Sequence, residues 1–213
     1  MNELQDNIRE KFEKTRKQRK IDNWYYWGRV DTNYEIANFG SAISSNTKIE
    51  IDEDFKAKGI RFRNENSYEI SGSGNIIIES DKGNGIIDLK LGKHSLDVNL
   101  KLESNTDMAL NEKTKLSLKE PVNLNKKSLS IKGKGSMQIE NSFQMKGGII
   151  IHDGLALVSF NSGKSVKLDG SLKFEPDSSI KLKEGLSFKL LEIKQAVNDS
   201  FNKFFNIFFM FKT

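Results

Sequence analysis

The sequence predicts an all-β protein: a single-stranded parallel β-helix, right-handed, with a short N-terminal α-helix and an apolar C-terminal cap. Three observations predict it. The run Ile70-Ser71-Gly72-Ser73-Gly74-Asn75-Ile76-Ile77-Ile78-Glu79 shares its grammar with Ile131-Lys132-Gly133-Lys134-Gly135-Ser136-Met137-Gln138-Ile139-Glu140: an apolar residue, a glycine pair one residue apart, then a strand ending in Glu. Apolar and polar residues alternate with period two through most of the chain from Thr47 to Leu191, the pattern of strands with one buried and one wet face. Turn formers (Asn, Asp, Ser and Gly) interrupt the alternation every ~7–10 residues. The two glycine runs lie 61 residues apart, from Gly72 to Gly133, which suggests three rungs of about twenty residues each in a stacked repeat. Leu168-Asp169-Gly170-Ser171-Leu172-Lys173-Phe174 reads as a third, contracted copy.

The elements follow in order. Residues 1–22 form a polar leader in which Leu4, Ile8 and Phe12 fall on one helical stripe, and Arg16 to Lys20 places basic charge at the helix C-terminus, where the macrodipole favours it. Residues 23–46 form an aromatic N-terminal cap. Trp24-Tyr25-Tyr26-Trp27 holds both tryptophans and two of the four tyrosines. It reads as a hydrophobic plug over the first rung, because a solenoid leaves a bare core at its end. The alternative is a sugar- or base-stacking platform. Residues 47–191 form the β-helix, roughly seven rungs, and residues 192–213 a Phe-rich cap or tail. There, Phe201, Phe204, Phe205 and Phe208 fit a helical face, while Phe209 and Phe211 spread round it. The run reads as a plug over the last rung; Phe204, Phe205, Phe208, Phe209 and Phe211 are the candidate association surface.

Composition bounds the chemistry. The 213 residues carry a formal charge of +5 and no cysteine, so disulfide frameworks, thiolate catalysis and sulfur-ligated metals are excluded. Many lysines alternate with apolar residues, as in Lys113-Thr114-Lys115-Leu116-Ser117-Leu118-Lys119. They read as the solvent side of strands, where lysine discourages edge-to-edge pairing. No nucleic-acid motif is present and no segment reaches the ~20 apolar residues of a membrane-spanning helix. The first twenty residues hold no continuous apolar stretch of the kind a signal peptide carries.

Only two histidines occur. His94-Ser95-Leu96-Asp97 holds triad residue types, but on a strand His94 and Asp97 point to opposite faces. His152-Asp153-Gly154 reads as a turn. Gly163-Lys164-Ser165 lacks the first glycine of a phosphate loop, since Val158 stands there. Asp52-Glu53-Asp54 reads as a charged turn rather than a carboxylate pair held for polysaccharide cleavage. No cofactor or metal site is expected.

From Trp24 to Gly154 the succession resembles the passenger-type β-helix of autotransporter adhesins and autotransporter-associated repeat proteins. The resemblance is carried by the order of elements: the tryptophan segment, Ile49-Glu50-Ile51-Asp52, Gly59-Ile60-Arg61-Phe62-Arg63-Asn64, Ser67 through Gly74, Gly92-Lys93-His94-Ser95-Leu96-Asp97-Val98, and the coil from Leu110 to Leu118. Phe188-Lys189-Leu190-Leu191 followed by Phe201 is similar to the end of a passenger stalk. The resemblance implies a non-enzymatic structural or adhesive shaft, at the bacterial cell surface or secreted, with a receptor, a glycan or a second copy as partner. Such proteins usually carry a signal peptide and a membrane β-barrel. Neither is seen here, so the chain reads as a stand-alone or shortened relative, cytoplasmic if it is complete. Two other functions fit the same pattern: a carbohydrate-binding or carbohydrate-cleaving β-helix, and a self-polymerising intracellular scaffold.

Overall fold

Six turns of parallel strands stack on one another, and each turn contributes to three faces. The computed structural model describes residues 36–160, 166–167, 170–175, 177–180, 187–196 and 202–210. The expected N-terminal helix and the Trp24-Tyr25-Tyr26-Trp27 cluster lie outside these residues. The first turn holds β1 (Ile36–Phe39), β2 (Thr47–Glu50) and β3 (Phe55–Ala57). The second holds β4 (Gly59–Arg63) and β5 (Tyr68–Ile78), the third β6 (Gly85–Leu91) and β7 (Lys93–Leu102). The fourth runs through β8 (Thr106–Leu110), β9 (Lys115–Leu118) and β10 (Val122–Asn123), and the fifth through β11 (Ser128–Gly133), β12 (Ser136–Ile139) and β13 (Phe143–Gln144). The sixth has β14 (Ile149–His152), β15 (Leu157–Phe160) and β16 (Val166–Lys167), and a further turn begins with β17 (Ser171–Phe174). β18 (Ser187–Ala196) and β19 (Asn202–Met210) follow.

The first face is a seven-stranded sheet in the order β1-β4-β6-β8-β11-β14-β17. The second and third faces belong to one twelve-stranded sheet, because β5 and β7 run unbroken across the corner between them. β2, β9, β12, β15 and β18 lie on the second face; β3, β10, β13 and β16 lie on the third. Among the described residues every pairing along the stack is parallel, and β18 and β19 alone pair antiparallel.

Stacking in register places like on like. On the first face Ala37, Ile60, Ile87, Met108, Ile131 and His152 sit directly above one another. On the second the column is Ile49, Ile70, Leu96, Leu118, Ile139 and Phe160. All of these are buried, and they merge into one hydrophobic core. Because strand alternation has period two, a slip of one residue would turn a whole strand's apolar set outward. Aromatic rings extend the columns: Phe39 stacks on Phe62 at 4.8 Å, and Phe143 meets Phe160 edge to face at 5.1 Å.

The turn length differs from the expected twenty. Successive partners on the first face are 23, 27, 21, 23 and 21 residues apart. Sixty-one residues is therefore not a whole number of turns. Ile70 lies on the second face and Ile131 on the first. What the three glycine runs share is a corner. Gly72 turns the chain from second to third face, Gly133 from first to second, and Gly170 from third to first. At each corner the glycine packs on a carbonyl of the preceding turn, where a Cβ would lie 2.1 Å from Ile51 O, 2.2 Å from Leu110 O or 2.0 Å from Gly148 O. That carbonyl accepts a hydrogen bond from a nearby amide: Gly74 N–H to Ile51 O, Gly135 N–H to Leu110 O and Ser171 N–H to Gly148 O, each 3.0 Å. Gly72 and Gly133 also hold φ of 130° and 102°, a region L side chains rarely enter.

The Phe-rich segment departs from its expected helical face. β19 is a strand, antiparallel to β18 with a bulge between Lys189 and Leu191. β18 offers it a row of free amides and carbonyls, and aromatic and β-branched residues favour the pleated state. Phe204, Phe205, Phe208 and Phe209 lie on this strand; Phe211 is outside the described residues. The stacked body also reaches back to Ile36, inside the stretch expected as aromatic cap.

Two stability predictions follow from the packing. Ile131 is fully buried, so Ile131→Ala should cost about 2–5 kcal/mol in denaturant unfolding, while the exposed neighbour change Lys132→Ala should stay within ~0.5 kcal/mol. Equal midpoints for the two variants would refute the column assignment. Gly72→Ala should destabilise clearly more than Gly40→Ala, since a Cβ at Gly40 meets nothing within 4 Å; thermal melts of the pair check this.

Candidate functional site

The two histidines belong to the interior. His94 lies on the buried side of β7, and Ser95 and Asp97 face the other way. Its Nδ1 accepts the Tyr68 backbone N–H at 3.1 Å. Its Nε2 is 2.7 Å from Leu91 O, which can only accept, so Nε2 carries the proton. Both ring nitrogens are thus in use. The ring stacks on Phe62 at 4.4 Å, and the Tyr68 hydroxyl ties the same cluster to Gly40 O at 2.6 Å. Burial pushes the His94 pKa below its ordinary 6.5, against the Leu91 hydrogen bond and Glu65, which raise it.

His152 is fully buried in the first-face column, between Ile131 and Phe174. Its Nδ1 accepts the Gly154 N–H at 2.9 Å, and its Nε2 is buried without a hydrogen-bond partner. Burial again lowers the pKa from 6.5; the Asp153 carboxylate, 3.9 Å from Nδ1, opposes this. Asp153 itself is engaged as a corner clamp. One oxygen accepts from Gly133 N–H at 2.5 Å, the other from Leu155 and Ala156 N–H at 2.9 and 3.3 Å. His152 thus ends β14 and the chain bends away at Asp153 and Gly154, the strand-ending turn the sequence indicates. In the Asp52-Glu53-Asp54 corner, Asp54 accepts both the backbone and the side-chain N–H of Asn75, and the side-chain bond is the main cause of its lowered pKa. Gly163-Lys164-Ser165 lies outside the described residues. Among the described residues no group of three or more histidine and acidic side chains converges.

The outer surface carries the remaining polar groups. On the first face Asp88, 5 % exposed, is held by Arg61 at 2.9 Å and Lys90 at 3.2 Å. On the second face a shallow, open cleft of about 530 Å³ crosses the first four turns. It is made by two columns. Lys48, Glu69, Ser95 and Ser117 stack in register, and beside them Lys93 stacks on Lys115. Thr47, Asn46 and Ser67 complete one rim, where Asn46 Oδ1 accepts the Ser67 N–H at 2.9 Å. Glu69 is 3.6 Å from Lys119. Sequence reasoning read these lysines singly, as the wet side of strands. The signal that could have joined them is the 22-residue step from Lys93 to Lys115, one turn.

Comparison with family models, with curated proteins and with solved structures finds no match to this chain. No helix among the described residues is long and apolar enough to cross a membrane.

The buried histidines make stability pH-dependent. Burial favours the neutral form of both in the fold, and both protonate more readily when unfolded, so the unfolded chain binds more protons as pH falls. Their contribution is fully present above about 6.5 and is lost as pH falls below it. The unfolding midpoint should decline from pH 7 toward pH 5, and the double variant His94→Gln/His152→Gln should flatten that slope. A parent profile level across this range would contradict the assignment.

Proposed function

We propose that the protein is a non-enzymatic structural or adhesive β-helix, a shaft of the kind the autotransporter passenger resemblance implies, whose outer faces meet its partner. The observation that carries this reading is where the reactive side chains are spent. His94 and Asp153 are tied to backbone groups inside the stack, and His152 is sealed in the column. The solvent-facing side chains of the second face are displayed on regular strands, a rigid frame for recognition. Among the described side chains of that face no nucleophile is hydrogen-bonded to a base, the arrangement covalent catalysis needs.

The antiparallel β19 supports a capped stack over an open-ended one. A parallel helix grows by adding parallel rungs; an antiparallel strand on β18 interrupts that geometry at one end of the sheet. This favours separate particles over filaments formed end to end.

Two measurements test the reading. Purified protein incubated with neutral and acidic polysaccharides should release no new reducing ends and no unsaturated products; turnover that disappears in Glu69→Gln would replace it with a carbohydrate-cleaving enzyme. Light scattering and negative-stain microscopy over a concentration series should show discrete particles. Filaments growing with concentration would favour the scaffold reading instead.

A further inference from the structure

We infer that the second-face cleft binds a linear acidic polysaccharide, with Lys48, Lys93 and Lys115 pairing its carboxylate or sulfate groups. The inference rests on the reading of the outer faces as the working surface and names the ligand class for it.

The first argument is a pair of like charges brought into register. Lys93 and Lys115 stand in register on adjacent strands, about 4.8 Å apart along the stack. Like charges directly opposite on neighbouring strands are destabilising. Some surface cations are answered by a carboxylate: Arg61 and Lys90 by Asp88, Lys56 by Glu79, Lys173 by Glu175. Among the described residues Lys93, Lys115 and Lys48 enter no ion pair. The one carboxylate in the cleft, Glu69, lies in reach of Lys119. An anionic group seated between Lys93 and Lys115 would remove the repulsion and gain two charge-assisted contacts.

The second argument is the floor. Ser95 and Ser117 stand in register next to the lysine column, and Thr47, Ser67 and Asn46 flank them. These groups donate and accept hydrogen bonds in a row that runs along the stack, matching the hydroxyl-rich edge of an extended glycan chain. The aromatic ring among the lining residues is His94, which is buried, stacked on Phe62 and hydrogen-bonded through both nitrogens, so it offers no exposed stacking platform of the kind single-stranded nucleic acid uses. Glu69 also lines the cleft, where its carboxylate can accept from a sugar hydroxyl. The cleft is more open than enclosed, which suits a polymer rather than a small molecule that needs enclosure.

The experiment uses the full chain and four immobilised probes: polygalacturonate, dextran sulfate, neutral dextran and a single-stranded oligonucleotide. Binding is expected to one or both acidic polysaccharides, weakening steeply as salt rises, with none to neutral dextran. The two acidic probes separate carboxylate from sulfate recognition. Lys93→Glu/Lys115→Glu should lower the affinity by about tenfold or more. Lys93→Gln/Lys115→Gln should lower it less, and Lys82→Glu/Lys132→Glu, an equal charge change at two exposed positions outside the cleft, should lower it little. Unchanged circular dichroism and melting show that each variant folds. Failure to bind either acidic polysaccharide overturns the inference. So does oligonucleotide binding of equal strength, or an equal loss in Lys82→Glu/Lys132→Glu, either of which would mean attraction by net charge alone. A particle that is discrete and inactive on polysaccharides yet binds none of the probes would overturn this site and leave the shaft reading standing.

Discussion

Everything in this protein depends on parallel strands stacking in strict register. Each turn presents a row of amides and carbonyls to the turn below, and the match fixes which side chains lie above which. Each bond is worth only about 0.5–1.5 kcal/mol net, but slipping a turn would invert the apolar set of every strand in it at once. Register is therefore enforced by the core, and the core exists because register holds. The columns headed by Ala37 and Ile49 are the visible result.

Corners carry the freedom that the faces lack. They absorb turns of unequal length through devices that differ from corner to corner. Asn64 gathers Gly40 O and Ile43 O with its amide, Thr114 bonds Asn111 O, Asp153 collects three backbone amides, and glycines pack against carbonyls where no Cβ fits. Each device satisfies backbone groups that a bend takes out of the ladder. The histidines join this structural work: His94 closes the entry to β7, and His152 continues the inner column that a turn then leaves.

The architecture was legible in the sequence to a large extent. Alternation such as His94, Leu96, Val98, Leu100, Leu102 marks the buried side of β7 directly, and the burial of that strand follows it residue by residue. The repeat was visible but its meaning was not. Gly72 and Gly133 look like one position in two rungs; they are one device at two corners. The Phe-rich segment shows the same limit: its spacing fits a helical face, yet the free edge of β18 draws it into a strand. The lysine cleft was illegible, because Lys48, Lys93 and Lys115 look alike among many strand lysines.

By itself the sequence determined that the chain is all-β, stacked and without thiol chemistry, because period-two alternation, turn residues and composition are local properties. Only the tertiary structure decided which residues of different turns become neighbours. That depends on the length of each turn, which varies from 21 to 27 residues on the first face, and the length is set by how each corner finds hydrogen-bond partners for its backbone. The cleft is a sum of such offsets: residues 46–48, 67–69, 93–95 and 115–117 meet because corner geometry brings them into register, a distance relation that no local pattern encodes.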